Sequence, residues 1–122
     1  MKIRIKGDSV RYRLSKTDVD ILTGQGFHKE ETSFGTTTFA YALKRKEEGD
    51  TLTASYADHT MTVEIPAAWL EGWAGNAVIG FDAHMPIGDS RTLYLLVEKD
   101  FKCLDDTNED QSDNYDNPNQ TC

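Results

Sequence analysis

The sequence lacks any long apolar run. None of its 122 residues stands in a stretch approaching the eighteen or so consecutive apolar residues that a membrane-spanning helix needs. The first six residues alternate charged and aliphatic side chains and do not form the apolar core of a signal peptide. We therefore expect a cytoplasmic protein that does not associate with a membrane.

The sequence also lacks the short motifs of several enzyme classes. No His-Glu-x-x-His, Cys-x-x-Cys or Gly-rich phosphate loop occurs, which argues against metal hydrolases, zinc ribbons and nucleotide-binding proteins. Gly-Asp-Ser occurs at 7–9 and 88–90, but no Asp-x-x-His accompanies it, so both copies are interpreted as turns and not as esterase nucleophiles. A calcium-loop pattern starting at Asp106 fails, because Gln111 and Asn117 replace the required glycine and glutamate.

Basic residues are scarce where the acidic ones concentrate. The formal net charge is -8, and residues 105–122 contain six carboxylates and no lysine or arginine. Nucleic-acid binding requires a basic face that outweighs the rest of the surface, so we expect no nucleic-acid partner. The composition predicts a single domain over 1–104 and an acidic, mobile C-terminal tail over 105–122, which is too polar to bury a core.

Cysteine is rare, and both copies flank this tail. Cys103 and Cys122 are interpreted first as free thiols, second as ligands of a zinc clip, and third as a disulfide, which a reducing compartment disfavours. A zinc clip needs further ligands, and His84 is the best placed candidate. Apart from this zinc alternative, we expect no cofactor.

Hydrophobic periodicity predicts an α+β domain. Alternating apolar residues indicate strands, and the strongest case is the segment after Arg91, whose apolar residues on both faces predict a central strand. Ser15 followed by Asp18 predicts a helix N-terminus with a capping box, and Pro66 predicts the start of a second short helix. We expect about seven mostly antiparallel strands in a curled sheet or open barrel, with two short helices.

A weak internal repeat appears when the chain is shifted by 51 positions. The apolar positions of 10–14 fall on those of 61–65, and Gly24 falls on Gly75. Any strand followed by a helix produces this pattern, and we favour that explanation over a duplication. A true repeat would predict a pseudo-two-fold fold.

The remaining polar residues suggest weaker hypotheses. His28 and His59 are interpreted as surface residues. Carboxylates such as Glu64, Asp82 and Glu98 could converge to form an acid/base site, which only a structure would reveal. The charged face of residues 2–13 could hold the acidic tail through weak, salt-sensitive ion pairs, although we favour the simpler explanation that these charges solvate an outer sheet face.

Three segments carry a resemblance to a known family. The stretch 96–104, the opening strand and turn 2–9, and the Ile-Pro-Ala-Ala-Trp segment 65–69 resemble those of a family of short bacterial proteins of unknown function, and the acidic end with a late cysteine is similar too. The resemblance implies a bacterial cytosolic protein of one domain. It implies no activity.

These observations favour a small non-catalytic binding or protein-interaction module over an enzyme. Two alternatives stay open: a regulatory protein clipped by a metal on Cys103 and Cys122, and an enzyme with a carboxylate site. The partner is expected to be another protein or a second copy of the chain.

Overall fold

A computed structural model describes residues 1–101 and 112–116 of the chain. These residues form eight strands, two α-helices and a 3₁₀ turn at Trp73–Gly75. The strands are β1 (Lys2–Ile5), β2 (Ser9–Leu14), β3 (Phe27–Ser33), β4 (Thr38–Lys46), β5 (Thr53–Ala57), β6 (Thr60–Pro66), β7 (Gly80–Gly88) and β8 (Arg91–Lys99). The helices are α1 (Lys16–Gln25) and α2 (Ala67–Leu70).

The strands form two mixed sheets of four. One has the order β1-β2-β8-β7 and the other the order β3-β4-β6-β5. Sequential neighbours pair antiparallel, whereas the central pairs β2/β8 and β4/β6 are parallel. Each sheet therefore combines two hairpins, which are consecutive in the β3-β4-β6-β5 sheet and come from opposite ends of the described domain in the other sheet.

Local sequence explains the main elements. Ser15 caps α1 through a complete capping box with Asp18, and Gly26 ends the helix in the left-handed conformation at φ 75°. In β2 and β6, alternate residues face the core, as the sequence pattern predicts. Strand β8 lies between β2 and β7, in agreement with the predicted central position.

The core lies between the inner faces of the sheets and the helices. Its largest fully buried side chains are Trp73 and Tyr12, followed by the aliphatic residues of both halves. The Tyr12 hydroxyl donates a hydrogen bond of 3.0 Å to the Met61 carbonyl oxygen, which joins β2 of one sheet to β6 of the other.

The predicted fold class is confirmed as α+β, but its details need correction. There are eight strands and not seven, and they form two four-stranded sheets, neither of them closed, and not one curled sheet or barrel. The division into two sheets depends on the parallel pairs β2/β8 and β4/β6, which join strands that are not consecutive in the chain. Strand periodicity contains no information about such pairings.

The two halves of the chain have the same architecture. Their sheets coincide when β1, β2, β3 and β4 are matched with β5, β6, β7 and β8, and the hairpin registers coincide as well. The shift is 51 residues for β1, β2 and α1, 53 for β3, and 54 for β4. Backbone contacts also repeat: Arg45 N–H donates to the Gly26 carbonyl oxygen, as Lys99 N–H donates to that of Ile79. The fold is thus pseudo-two-fold. The second hairpin of each half pairs with the first hairpin of the other half.

The charged face of the first hairpin pairs with the body of the domain. Arg11 binds Glu98, while Lys2 and Arg13 contact Asp100 at 3.3 and 3.2 Å. Whether the acidic tail also reaches this face stays a prediction, as do the boundary at 104 and the mobility of the tail, because most tail residues lie outside the described part of the chain. Residues 112–116 are described, and they contact the body near α1.

No helix in the described ranges is long and apolar enough to cross a membrane.

Candidate cation site

Three side chains with metal-ligating atoms meet where α1 packs against β3. Asp18 comes from the first turn of α1, and His28 and Glu30 come from the inward face of β3. One ligand atom from each lies within 4.8 Å of the other two. We call Asp18, His28 and Glu30 the acid–histidine cluster. Within residues 1–101 and 112–116, it is the only such group of three His, Cys, Asp or Glu side chains.

Asp18 is the centre of the cluster. One carboxylate oxygen, Oδ1, lies 2.7 Å from His28 Nε2. The other, Oδ2, accepts hydrogen bonds from the backbone N–H and the hydroxyl of Ser15, at 2.9 and 3.0 Å. The side chain is only 9% exposed, so the carboxylate is fixed by its neighbours and not by water.

A cation already lies in the cluster. The Met1 ammonium is 2.9 Å from Asp18 Oδ2 and 2.7 Å from Glu30 Oε2, and the Met1 side chain is fully buried. Glu30 Oε2 is buried too, and it is paired with the Met1 ammonium. A carboxylate in the interior needs such a positive partner.

The electrostatics of the site favour positive charge. Burial alone would raise the pKa of Asp18, but the Met1 ammonium, Ser15 and His28 outweigh it and hold that pKa below its usual value. Burial would lower the pKa of the Met1 ammonium, yet bonds to Glu30 and Asp18 raise it above its usual value. The two carboxylates of Asp18 and Glu30 thus face the Met1 ammonium.

The second half of the chain has a site that corresponds to the acid–histidine cluster. The residues that correspond to Asp18, His28 and Glu30 are Trp69, Phe81 and Ala83. The rings of Trp69 and Phe81 stack with centroids 5.4 Å apart. The same helix–strand contact is thus made by apolar packing in one half and by ionisable groups in the other, so the architecture does not require the charges.

The cluster has the composition of a cation site. Imidazole nitrogen and carboxylate oxygen are ligands of Zn²⁺ and related ions at about 2.0–2.2 Å. Ligand atoms within 4.8 Å of each other need only small shifts to reach a common ion. Three protein ligands would leave a coordination position open, and the Met1 amino group, 2.9 Å from Asp18 Oδ2 and 2.7 Å from Glu30 Oε2, could fill it in its neutral form.

The family comparison covers nearly the whole chain. Residues 1–119 match the model of a family described as a family of unknown function, DUF7009. The chain belongs to the DUF7009 family. The resemblance to an uncharacterised family is therefore confirmed. Comparison of the DUF7009 chain with curated proteins gives no match, and comparison with solved structures gives none.

The metal ligands expected from the DUF7009 sequence are not those of the cluster. His84 is exposed on β7, with its ring 4.9 Å from the ring of Tyr94. Cys103 and Cys122 lie outside the described residues, so the zinc clip stays a prediction. His59 occupies the exposed turn between β5 and β6, as expected, at φ 59°.

The three carboxylates considered for an enzyme site do not converge on a common point. Glu64 belongs to the β3-β4-β6-β5 sheet, whereas Asp82 and Glu98 lie on the other sheet. Asp82 accepts a hydrogen bond of 2.9 Å from the Tyr94 hydroxyl, and Glu98 binds Arg11. Asp82 and Glu98 are thus engaged in pairs that fix an outer sheet face.

The cluster itself was missed, because His28 was interpreted as a surface residue. It is half-buried and bound to Asp18. A signal did exist: His28 and Glu30 alternate with Lys29 and so share one face of the predicted strand. Nothing indicated that this polar face points inward, because the apolar residue of the strand, Phe27, is on the opposite face and 47% exposed.

Proposed function

We propose that this chain is a small binding module whose acid–histidine cluster takes up a divalent transition-metal cation. The observation that carries the proposal is the convergence of one Asp18, one His28 and one Glu30 ligand atom within 4.8 Å, beside the Met1 ammonium. A divalent ion would neutralise the two carboxylates and replace the Met1 ammonium between them.

The choice of a transition metal follows from the donor set. Calcium and magnesium prefer oxygen ligands, whereas an imidazole beside carboxylates suits zinc, iron and the other first-row ions. Zn²⁺ is the appropriate probe because it has no redox chemistry and accepts N and O ligands. The limited exposure of Asp18 and His28, at 9% and 13%, supports binding of a desolvated ion.

The comparison between the halves supports a functional origin of the charges. Stacked aromatic rings stabilise the corresponding site of the second half without any desolvation cost. Ionisable groups at the first site carry that cost, and binding of a ligand is a physical reason to have them there.

Zinc titration of the full-length protein by calorimetry tests the proposal. The wild type is expected to bind one Zn²⁺ at the cluster, and His28→Gln and Glu30→Gln are each expected to weaken binding roughly tenfold or more, since each removes a ligand. His84→Gln and Glu31→Gln are matched controls, because His84 is an exposed histidine and Glu31 is the exposed neighbour of Glu30 on β3.

Equal affinity in His28→Gln and His84→Gln would contradict the proposal, as would a wild type without zinc binding. Binding that is lost only when Cys103 and Cys122 are replaced by serine would also contradict it, and would support the zinc clip instead. Thermal unfolding of each variant shows whether it is folded at the temperature of the titration.

The other expectations from the sequence remain parts of the proposal. A non-catalytic role agrees with the separation of Glu64 from Asp82 and Glu98 on two sheets. A protein partner or a second copy of the chain, a bacterial source and a cytoplasmic location stay predictions.

A further inference from the structure

A segment of the acidic tail contacts the helix that carries Asp18. We call Ser112–Asp116 the C-terminal strap. Its Tyr115 N–H donates a hydrogen bond of 2.8 Å to the Asp100 carbonyl oxygen, and Tyr115 forms a parallel bridge with Phe101. The two rings meet edge to face, 5.7 Å apart, and the Lys99 ammonium lies 4.8 Å from the Tyr115 ring centroid. These contacts hold the strap beside the first turn of α1.

Asp113 connects the strap to the N-terminus of α1. Its carbonyl oxygen accepts a hydrogen bond of 3.0 Å from Lys16 N–H, and its carboxylate lies 3.3 and 3.4 Å from Thr17 N. These are backbone donors that an α-helix leaves without an internal partner. The strap thus completes the capping of the helix that Ser15 begins.

Ser15 is shared between the strap and the cation site. Its hydroxyl donates to Asp18 Oδ2 at 3.0 Å. The Ser15 hydroxyl and the Thr17 amide hold the pKa of Asp113 below its usual value, while the charge of Asp18 acts in the opposite direction. The Asp113 carboxylate lies 3.3 Å from Thr17 N, and Asp18 Oδ2 accepts from Ser15, so two like charges lie at the same helix start and repel each other.

We propose that Asp113 is a positioning residue of the cation site, so that the C-terminal strap and a cation on Asp18 bind cooperatively. This inference rests on the proposed function. A divalent cation that replaces the Met1 ammonium on Asp18 adds positive charge beside Asp113, which weakens the repulsion between the two carboxylates. Coupling between two sites is reciprocal. If the cation strengthens docking of the strap by some factor, the docked strap increases the affinity for the cation by the same factor.

The test combines zinc calorimetry with hydrogen exchange on the full-length protein. Asp113→Asn is expected to weaken zinc binding roughly fivefold, within the usual range of coupling between sites. In the wild type, zinc is expected to slow exchange of the Tyr115 and Thr17 amide protons by a similar factor, and in Asp113→Asn it is expected to leave them unchanged. A purely structural cap would not make this protection depend on zinc.

Asp20→Asn is the matched control, because it removes the same charge from an exposed position of the same helix. Its zinc affinity should change by less than about twofold, since exposed charges are screened. If the wild type binds zinc and Asp113→Asn binds it equally well, the positioning role is overturned and the proposed function stands. A wild type that binds no zinc overturns both.

Discussion

Replacing Trp73 by alanine is expected to lower the free energy of unfolding by about 3–5 kcal/mol, the usual cost of removing a buried tryptophan. Trp73 is fully buried, and its ring lies 4.9 Å from that of Phe81. Its indole N–H donates to the Val78 carbonyl oxygen at 2.9 Å, and Lys99 lies over the ring. The substitution leaves a large cavity and an unpaired carbonyl group. Urea unfolding followed by circular dichroism measures the loss.

Two further variants make this prediction decisive. Trp73→Phe keeps most of the apolar volume but loses the hydrogen bond, so it should lower the free energy of unfolding by about 1–2 kcal/mol. This value can be measured even if Trp73→Ala does not fold. Val78→Ala changes a residue that is 42% exposed and should stay within about 0.5 kcal/mol of the wild type. A Trp73→Ala variant as stable as Val78→Ala would show that Trp73 is not central to the core.

Replacing Asp18 by alanine is expected to destabilise the metal-free protein by about 3 kcal/mol, at the lower end for a broken buried ion pair because the Met1 ammonium keeps its contact with Glu30. The change removes the partner of the ammonium, of His28 and of the Ser15 amide, and with it the capping box of α1. Thermal and urea unfolding in the presence of a chelator measure the effect without bound metal.

Asp20→Ala is the control on the same helix. Asp20 is exposed, and alanine favours a helix slightly, so this variant should unfold within about 0.5 kcal/mol of the wild type. Equal stability of Asp18→Ala and Asp20→Ala would mean that the acid–histidine cluster contributes nothing to the metal-free fold.

The local elements could be predicted from the sequence because each depends on neighbours in the chain. Ser15 and Asp18 predict the start of α1, and alternation in β2 and β6 predicts the face that is buried. The second helix begins after Pro66, as the sequence predicts, but it ends at Leu70, and Gly72 adopts φ 70° before a separate 3₁₀ turn. A left-handed glycine breaks a helix that the apolar pattern alone would continue.

The two-sheet arrangement could not be predicted in the same way. The parallel register of β2 with β8, Ser9 opposite Tyr94, joins the two ends of the domain. The sequence shift of 51 residues indicates the repeat, but any strand followed by a helix produces the same pattern. The hairpin register is the evidence that supports the repeat, because Lys2 opposite Arg13 corresponds to Thr53 opposite Glu64. Register is defined by backbone pairing, so it is observed in the structure and not in the sequence.

The candidate site was hidden for a related physical reason. Asp18 was recognised as a capping residue, and a capping role alone accounts for its presence at the helix start. His28 and Glu30 lie on a strand whose inward face is polar, so hydrophobic alternation indicated the wrong orientation. Only the packing of α1 on β3 brings the three side chains together.

Anomalous diffraction from crystals of the zinc-loaded, full-length protein tests the central claim most directly. The account predicts a zinc peak within about 2.0–2.2 Å of Asp18, His28 Nε2 or Nδ1, and Glu30. It also predicts that the Met1 amino group leaves its place between the two carboxylates or becomes a further ligand. A zinc peak at the cysteines or at His84, with the Met1 ammonium still bound to Asp18 and Glu30, would contradict it.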